Sequence, residues 1–202
     1  MRYSAPMHSR QTLPCLWLVT DRRNDAVLES ALARLPRGSG VIFRHHHLEG
    51  PQRRRRFEML ARLARRYGHR IVLAGDVRTA RRWRADGAYG APRQLQGGGG
   101  LLRLATAHGL GEVGAARRIG ADAVLLSPAF PTRSHPGGQA LGPLRFRLIA
   151  GHARMPVIAL GGMNRGTARR LGWPCWAAID GLSAGPGQPS RPAARRGFPS
   201  DS

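Results

Sequence analysis

The sequence predicts an α/β fold, a compact (βα)8 TIM barrel with a shortened fourth crossover, and three observations carry that expectation. Short apolar runs alternate with segments of helical period along nearly the whole chain, the pattern of a parallel sheet whose strands are joined by helices. Eight such runs fit within 202 residues, and the few residues between them favour closure into a barrel over an open doubly wound sheet. Polar residues stand directly after the apolar runs, where a barrel of this kind carries its active site.

The elements follow in order. The first strand covers 15–20 and is followed by a helix over 25–35; the second covers 40–44, with a helix over 52–67. The third strand, 70–74, leads to a helix over 77–84, and the fourth is the short run 87–89. Only Pro92 to Gln96 and the run Gly97 to Gly100 separate it from the fifth strand, 101–105, so this crossover is a turn or a stub. Helix 111–119, strand 123–127, helix 143–153, strand 157–160, helix 164–171 and strand 176–179 complete the set. Residues 1–14 form an amino-terminal extension to a barrel domain over 15–183. The stretch 184–202 is rich in Arg, Pro and Gly, lacks the apolar content to offset its ordering entropy, and is expected to be a disordered tail.

Composition narrows the function classes. No apolar stretch approaches the ~20 residues of a membrane span, and the amino terminus lacks a secretory pattern, so a soluble cytoplasmic protein is expected, with no membrane partner. In that compartment Cys15 and Cys175 are expected as unpaired small hydrophobes. The formal net charge is +22, and all 33 basic residues are arginine. They are dispersed along the helices, Arg53 to Arg56 among them, as solvated faces would be. Without a recognition motif the charge supports weak, sequence-indifferent adhesion to polyanions and no specific nucleic-acid partner. Three consecutive histidines, His45 to His47, are expected to diverge in direction and hold no metal.

The residues at the carboxyl ends of the strands are Thr20 and Asp21, Arg44 and His45, Asp76, Tyr89, Thr106 and His108, Ser127, Gly161 and Gly162, and Asp180. This ring suits a phosphorylated substrate, with the Gly161-Gly162 turn offering backbone N–H groups to phosphate oxygens. The oligomeric state is not legible from these features.

Leu-Val-Thr-Asp at 18–21, Thr-Ala-His at 106–108, Gly-Ala-Asp-Ala-Val at 120–124, Ser-Pro-Ala-Phe-Pro-Thr at 127–132 and Pro-Val-Ile-Ala-Leu-Gly-Gly-Met at 156–163 resemble, in order, the thiamine-phosphate synthase and thiazole tautomerase family. The resemblance implies coupling of hydroxymethylpyrimidine diphosphate to thiazole phosphate in thiamine biosynthesis, with Mg2+ and release of pyrophosphate. It implies a thiazole-phosphate site at Thr132, Ser134, Gly161 and Gly162; His108, read from its place after the fifth strand alone, is either a substrate contact or a satisfied polar residue. Arg44 and Thr106 would hold the leaving pyrophosphate as catalytic residues, and Asp76 would bind the metal.

The chain also departs from the family pattern. Ile42 and His46 stand where the family commonly has glutamine and lysine, Gly75 replaces an asparagine, and no acidic residue follows the fourth strand within Tyr89 to Gln94. His135 takes the place of a lysine, Asp180 that of a small residue, and the histidine of the tautomerase branch is absent at Ser127 and Pro128. Two further readings therefore stand beside the synthase: a noncatalytic barrel that binds a phosphorylated thiazole or thiamine compound, and a basic, nonspecific nucleic-acid-associated protein.

Overall fold

The computed structural model describes residues 13–97, 99–132 and 139–183. The strands are β1 (Leu16–Val19), β2 (Gly40–Phe43), β3 (Arg70–Ala74), β4 (Gly87–Gly90), β5 (Leu102–Ala107), β6 (Ala123–Leu126), β7 (Val157–Ala159) and β8 (Trp176–Ala178). They form a closed barrel in sequence order. All neighbours are parallel, and the register Leu16 to Trp176 joins β8 back to β1. The helices are α1 (Leu28–Arg34), α2 (Gly50–Arg66), α3 (Val77–Arg82), α4 (Leu110–Arg118), α5 (Gly142–Gly151), α6 (Arg165–Leu171) and a final short turn, α7 (Asp180–Ser183). The fourth crossover is a single 3-10 turn, Pro92–Leu95, as its length predicts, and another 3-10 turn, Arg22–Val27, leads into α1.

The period of two along each strand divides the apolar residues into two cores. Trp17, Val19, Ile42, Val72, Leu104, Ala123, Leu125, Ile158 and Ala177 fill the barrel. The alternate residues, such as Leu18, Phe43, Leu73 and Val124, pack outward against Phe57, Leu60 and Phe146 of the helices. Trp17 explains one glycine. A Cβ on Gly40 would lie 2.1 Å from the indole ring, so the ring fills the interior only because its partner has no side chain.

The closure corrects one expectation. Cys15 and Cys175 are not unpaired: they precede β1 and β8 at adjacent positions, and their sulfurs are bonded at 2.16 Å. They lie 160 residues apart in sequence, and only the meeting of the first and last strands brings them together. Most of the extension 1–14, Ser134, His135 and the tail from 184 lie outside the described residues. No helix among the described residues is long and apolar enough to cross a membrane.

Candidate active site

The inward row of the strands runs up to the barrel mouth, within β5 and just beyond the ends of β2 and β6. Arg44 follows Ile42 on that row, Thr106 follows Leu104, and Ser127 follows Leu125. Tyr89 belongs to the interior cluster beneath them. Burial pushes its phenol up, an effect that the nearby Arg44 guanidinium opposes. Arg44 also acts on Asp21 and His46. Burial works against ionisation at Asp21, but hydrogen bonds and charge from Arg23 outweigh it and hold the carboxyl low. Burial, then Arg53 and Arg44, push the His46 imidazole below its ordinary value. The Arg44 guanidinium has no bonded partner among the described residues, whereas both ends of its backbone are tied down.

Those ties come from neighbouring elements. The Arg44 N–H donates to Thr20 Oγ1 at 3.0 Å, and its carbonyl accepts from Arg53 Nε and Nη2 at 3.2 and 2.9 Å. Arg53 Nη2 also donates to the Ala74 carbonyl at 2.7 Å, while the guanidinium lies against the faces of Phe43 and Trp83. Arg56, one turn on, pairs with Asp25 at 2.6 Å and with Glu29 at 2.5 Å. Arg53 and Arg56 thus depart from the expected solvated face: their spacing on α2 turns both toward the barrel. The histidines depart from expectation too. The rings of His45 and His47 are 5.0 Å apart, and with Asp25 they bring three ligand-type atoms within 4.8 Å of one another.

The opposite side of the mouth is built from backbone. Gly161 and Gly162 have φ of 92° and 63°, in the left-handed region that favours glycine. A Cβ at Gly161 would meet Pro128 at 2.7 Å, and one at Gly162 would meet the Pro131 carbonyl at 2.6 Å. The loop after β7 thus lies flush on the loop after β6, bonded through Ala129 N–H to the Leu160 carbonyl and Phe130 N–H to the Gly161 carbonyl. The N–H groups of Gly161 and Gly162 have no acceptor among the described residues. Asn164 caps α6 behind them, and Asp180 faces Arg23 at 3.5 Å.

The remaining candidates sit around the rim. Asp76 is exposed and caps α3: Oδ1 accepts from Thr79 N–H and Oδ2 from the Thr79 hydroxyl, both at 2.9 Å. These bonds, the backbone one foremost, hold its carboxyl below the usual range. His108 is exposed and turns to Glu112 of α4, which accepts from its backbone N–H and lies 3.0 Å from its Nδ1. Thr132 is half-buried in the loop after β6. Sequence reasoning placed Tyr89 in the ring at the strand ends without a role and read Arg53 as part of a solvated face; the period of two on β4 and the i, i+3 spacing with Arg56 were the signals for their inward contacts.

A barrel with this mouth is matched by a family model described as thiamine monophosphate synthase, over residues 16–173. This chain belongs to that family. Membership of the thiamine monophosphate synthase family ties it to thiamine biosynthesis. A thiamine-phosphate synthase of Pyrococcus furiosus is 27% identical over 177 residues, with 83% of each chain covered. Another, of Chloroflexus aurantiacus, is 31% identical over 169 residues and 76% of each chain. Among solved structures, a thiamine phosphate pyrophosphorylase of Pyrococcus furiosus superposes with a TM-score of 0.70 at 25% identity, covering 85% of this chain and 88% of its own. The family match spans every element from β1 through α6, and so both sides of the mouth.

Proposed function

We propose that the chain is a thiamine-phosphate synthase, a transferase that joins the methylene carbon of hydroxymethylpyrimidine diphosphate to the nitrogen of thiazole phosphate. The carbon–oxygen bond breaks with its electron pair leaving on pyrophosphate, and the nitrogen lone pair forms the new carbon–nitrogen bond. The observation that carries this reading is the free Arg44 guanidinium at the mouth, opposite the unoccupied N–H groups of Gly161 and Gly162. One side offers a cation to the leaving pyrophosphate, and the other offers backbone donors to the monophosphate of the nucleophile.

In this reading Arg44 and Thr106 are catalytic residues on the pyrophosphate. Gly161, Gly162 and Thr132 hold the thiazole phosphate, with His108 at the rim; Ser134 shares that role as a residue outside the described set. Asp76 is an ionised carboxylate whose oxygens each keep a lone pair beyond the bond to Thr79, which suits a Mg2+ ion that completes its shell with water and phosphate oxygens. When bound, that ion would neutralise diphosphate charge. A phosphorylated small molecule is the partner, and the cytoplasm the expected compartment.

Incubation of the protein with both substrates and Mg2+ is expected to yield thiamine phosphate, and Arg44→Ala is expected to lower turnover far more than stability. One observation favours a second reading, a barrel that binds the thiazole phosphate without turnover: Ile42 is buried inside the barrel and offers no amide at the second strand. Binding of thiazole phosphate with no product from the complete mixture would select it.

A further inference from the structure

His45 follows Arg44 directly, yet its ring lies on the other side of the strand, fully buried beside Phe43 with the planes 2° from parallel. Its φ is 34°, and among the described residues Arg84 is the other non-glycine residue with a positive φ. Such a conformation persists where the surroundings over-determine it. Here the surroundings are specific: Nδ1 is 2.7 Å from Thr20 Oγ1, and Nε2 is 2.8 Å from Asp25 Oδ1.

The protons of this chain of bonds can be assigned by counting donors. The ionised Asp25 can only accept, so His45 Nε2 is the donor of that pair and Nδ1 of the neutral ring accepts from the Thr20 hydroxyl, whose oxygen also accepts from the Arg44 N–H. Arg56 holds Asp25 from the far side. With Nε2 protonated and a guanidinium on the same carboxylate oxygen, Asp25 and His45 form a hydrogen-bonded clamp and not a cation site, with the His47 ring beside it. The clamp joins β1, the first 3-10 turn, β2 and α2 at the point where the chain turns away just after Arg44.

We propose that His45 is a positioning residue for Arg44: its ring, fastened to Thr20 and Asp25, sets the left-handed turn that aims the Arg44 guanidinium into the barrel mouth and so sets the affinity for a diphosphate. This rests on the assignment of the diphosphate to Arg44. The residue acts through its neighbour, so its effect vanishes when Arg44 is gone.

The test is a double-mutant cycle read by calorimetric binding of inorganic pyrophosphate with Mg2+, with no turnover required. Arg44→Ala is expected to weaken binding by about tenfold or more, the scale of a charge-assisted contact to phosphate. His45→Phe keeps the ring shape and loses both bonds; it is expected to weaken binding about threefold to tenfold alone and not at all in the Arg44→Ala background. His45→Asn tolerates the left-handed backbone and can accept from Thr20, and it is expected to recover most of the affinity. Should His45→Phe fail to fold, Asp25→Ala removes the acceptor of the ring proton and takes its place in the cycle. Equal losses in both backgrounds, or no loss in either, overturn the positioning role while leaving Arg44 as the pyrophosphate ligand. Unchanged binding in Arg44→Ala overturns the assignment of the diphosphate to Arg44, and the positioning role with it.

Discussion

The two sides of the barrel mouth are made of different material. Around β1 to β3 the shape is set by side chains: Thr20, Asp25, His45, Arg53 and Arg56 bond across four elements and hold one arginine backbone in place. Around β6 and β7 it is set by main chain, with Gly161 and Gly162 pressed onto the loop of Pro128 to Pro131 and no side chain of their own. The difference bears on how each half tolerates change. A side-chain network loses bonds one at a time, whereas close-packed glycine backbone has no smaller substitute.

The sharpest break in that comparison is Gly162→Val. A β-branched residue at φ 63°, with its Cβ driven to 2.6 Å from the Pro131 carbonyl, is expected to cost about 3 kcal/mol or more, read as a fall in the urea midpoint. The damage reaches the loop itself, beyond any blocked phosphate. An unchanged midpoint would show that the two loops can part freely.

Next in size is Arg53→Met, which takes the guanidinium off the faces of Phe43 and Trp83 and frees the carbonyls of Arg44 and Ala74. Loss of these charge-assisted bonds is expected to cost about 2 kcal/mol. The same urea titration checks it, and a loss as large as that of Gly162→Val would erase the contrast between the two halves.

Acid should act on the side-chain half first. Burial pushes His45 below its ordinary value of 6.5 even though Asp25 opposes it, and burial with Arg53 and Arg44 lowers His46. The unfolded chain therefore takes up protons before the folded one does. The stability from this pair is complete above pH 6.5 and declines as pH falls through the folded values. Asp25 follows in a lower window: burial raises its carboxyl, but bonds from His45 and Arg56 outweigh that and hold it below 3.8, so its contribution is lost as pH falls below that value. Urea midpoints between about pH 7.5 and 5.5 should fall for the natural protein and fall less for His45→Asn, while equal slopes would remove His45 from the acid response.

Asp76→Asn is the mildest change. Asparagine caps a helix nearly as well as aspartate, so stability should move by less than about 0.5 kcal/mol, while the Mg2+ dependence of pyrophosphate binding should weaken. Calorimetry with and without the metal separates the two, and an unaltered metal dependence would leave Asp76 as a cap alone.

The sequence by itself determined the eight strands, the stub at Pro92–Leu95 and the placement of Arg44 and Thr106 toward the carboxyl ends of their strands. These follow from local pattern, because a short apolar run bounded by polar residues marks a strand buried on both faces, and its end, whatever the rest of the chain does. The glycine pair at 161 and 162 was legible for the same reason, since a turn with positive φ is written into the residue type. Only the tertiary structure decided which side chains meet. Barrel closure joins Cys15 to Cys175, and the left-handed turn at His45 swings its ring away from the mouth and onto Asp25, twenty residues earlier. The orientation of α2 brings Arg53 and Arg56 inward, although in sequence they are two of four identical residues. Local pattern records how often a residue is buried; it carries no record of its partner, because that contact exists only once distant strands and helices have been brought into register.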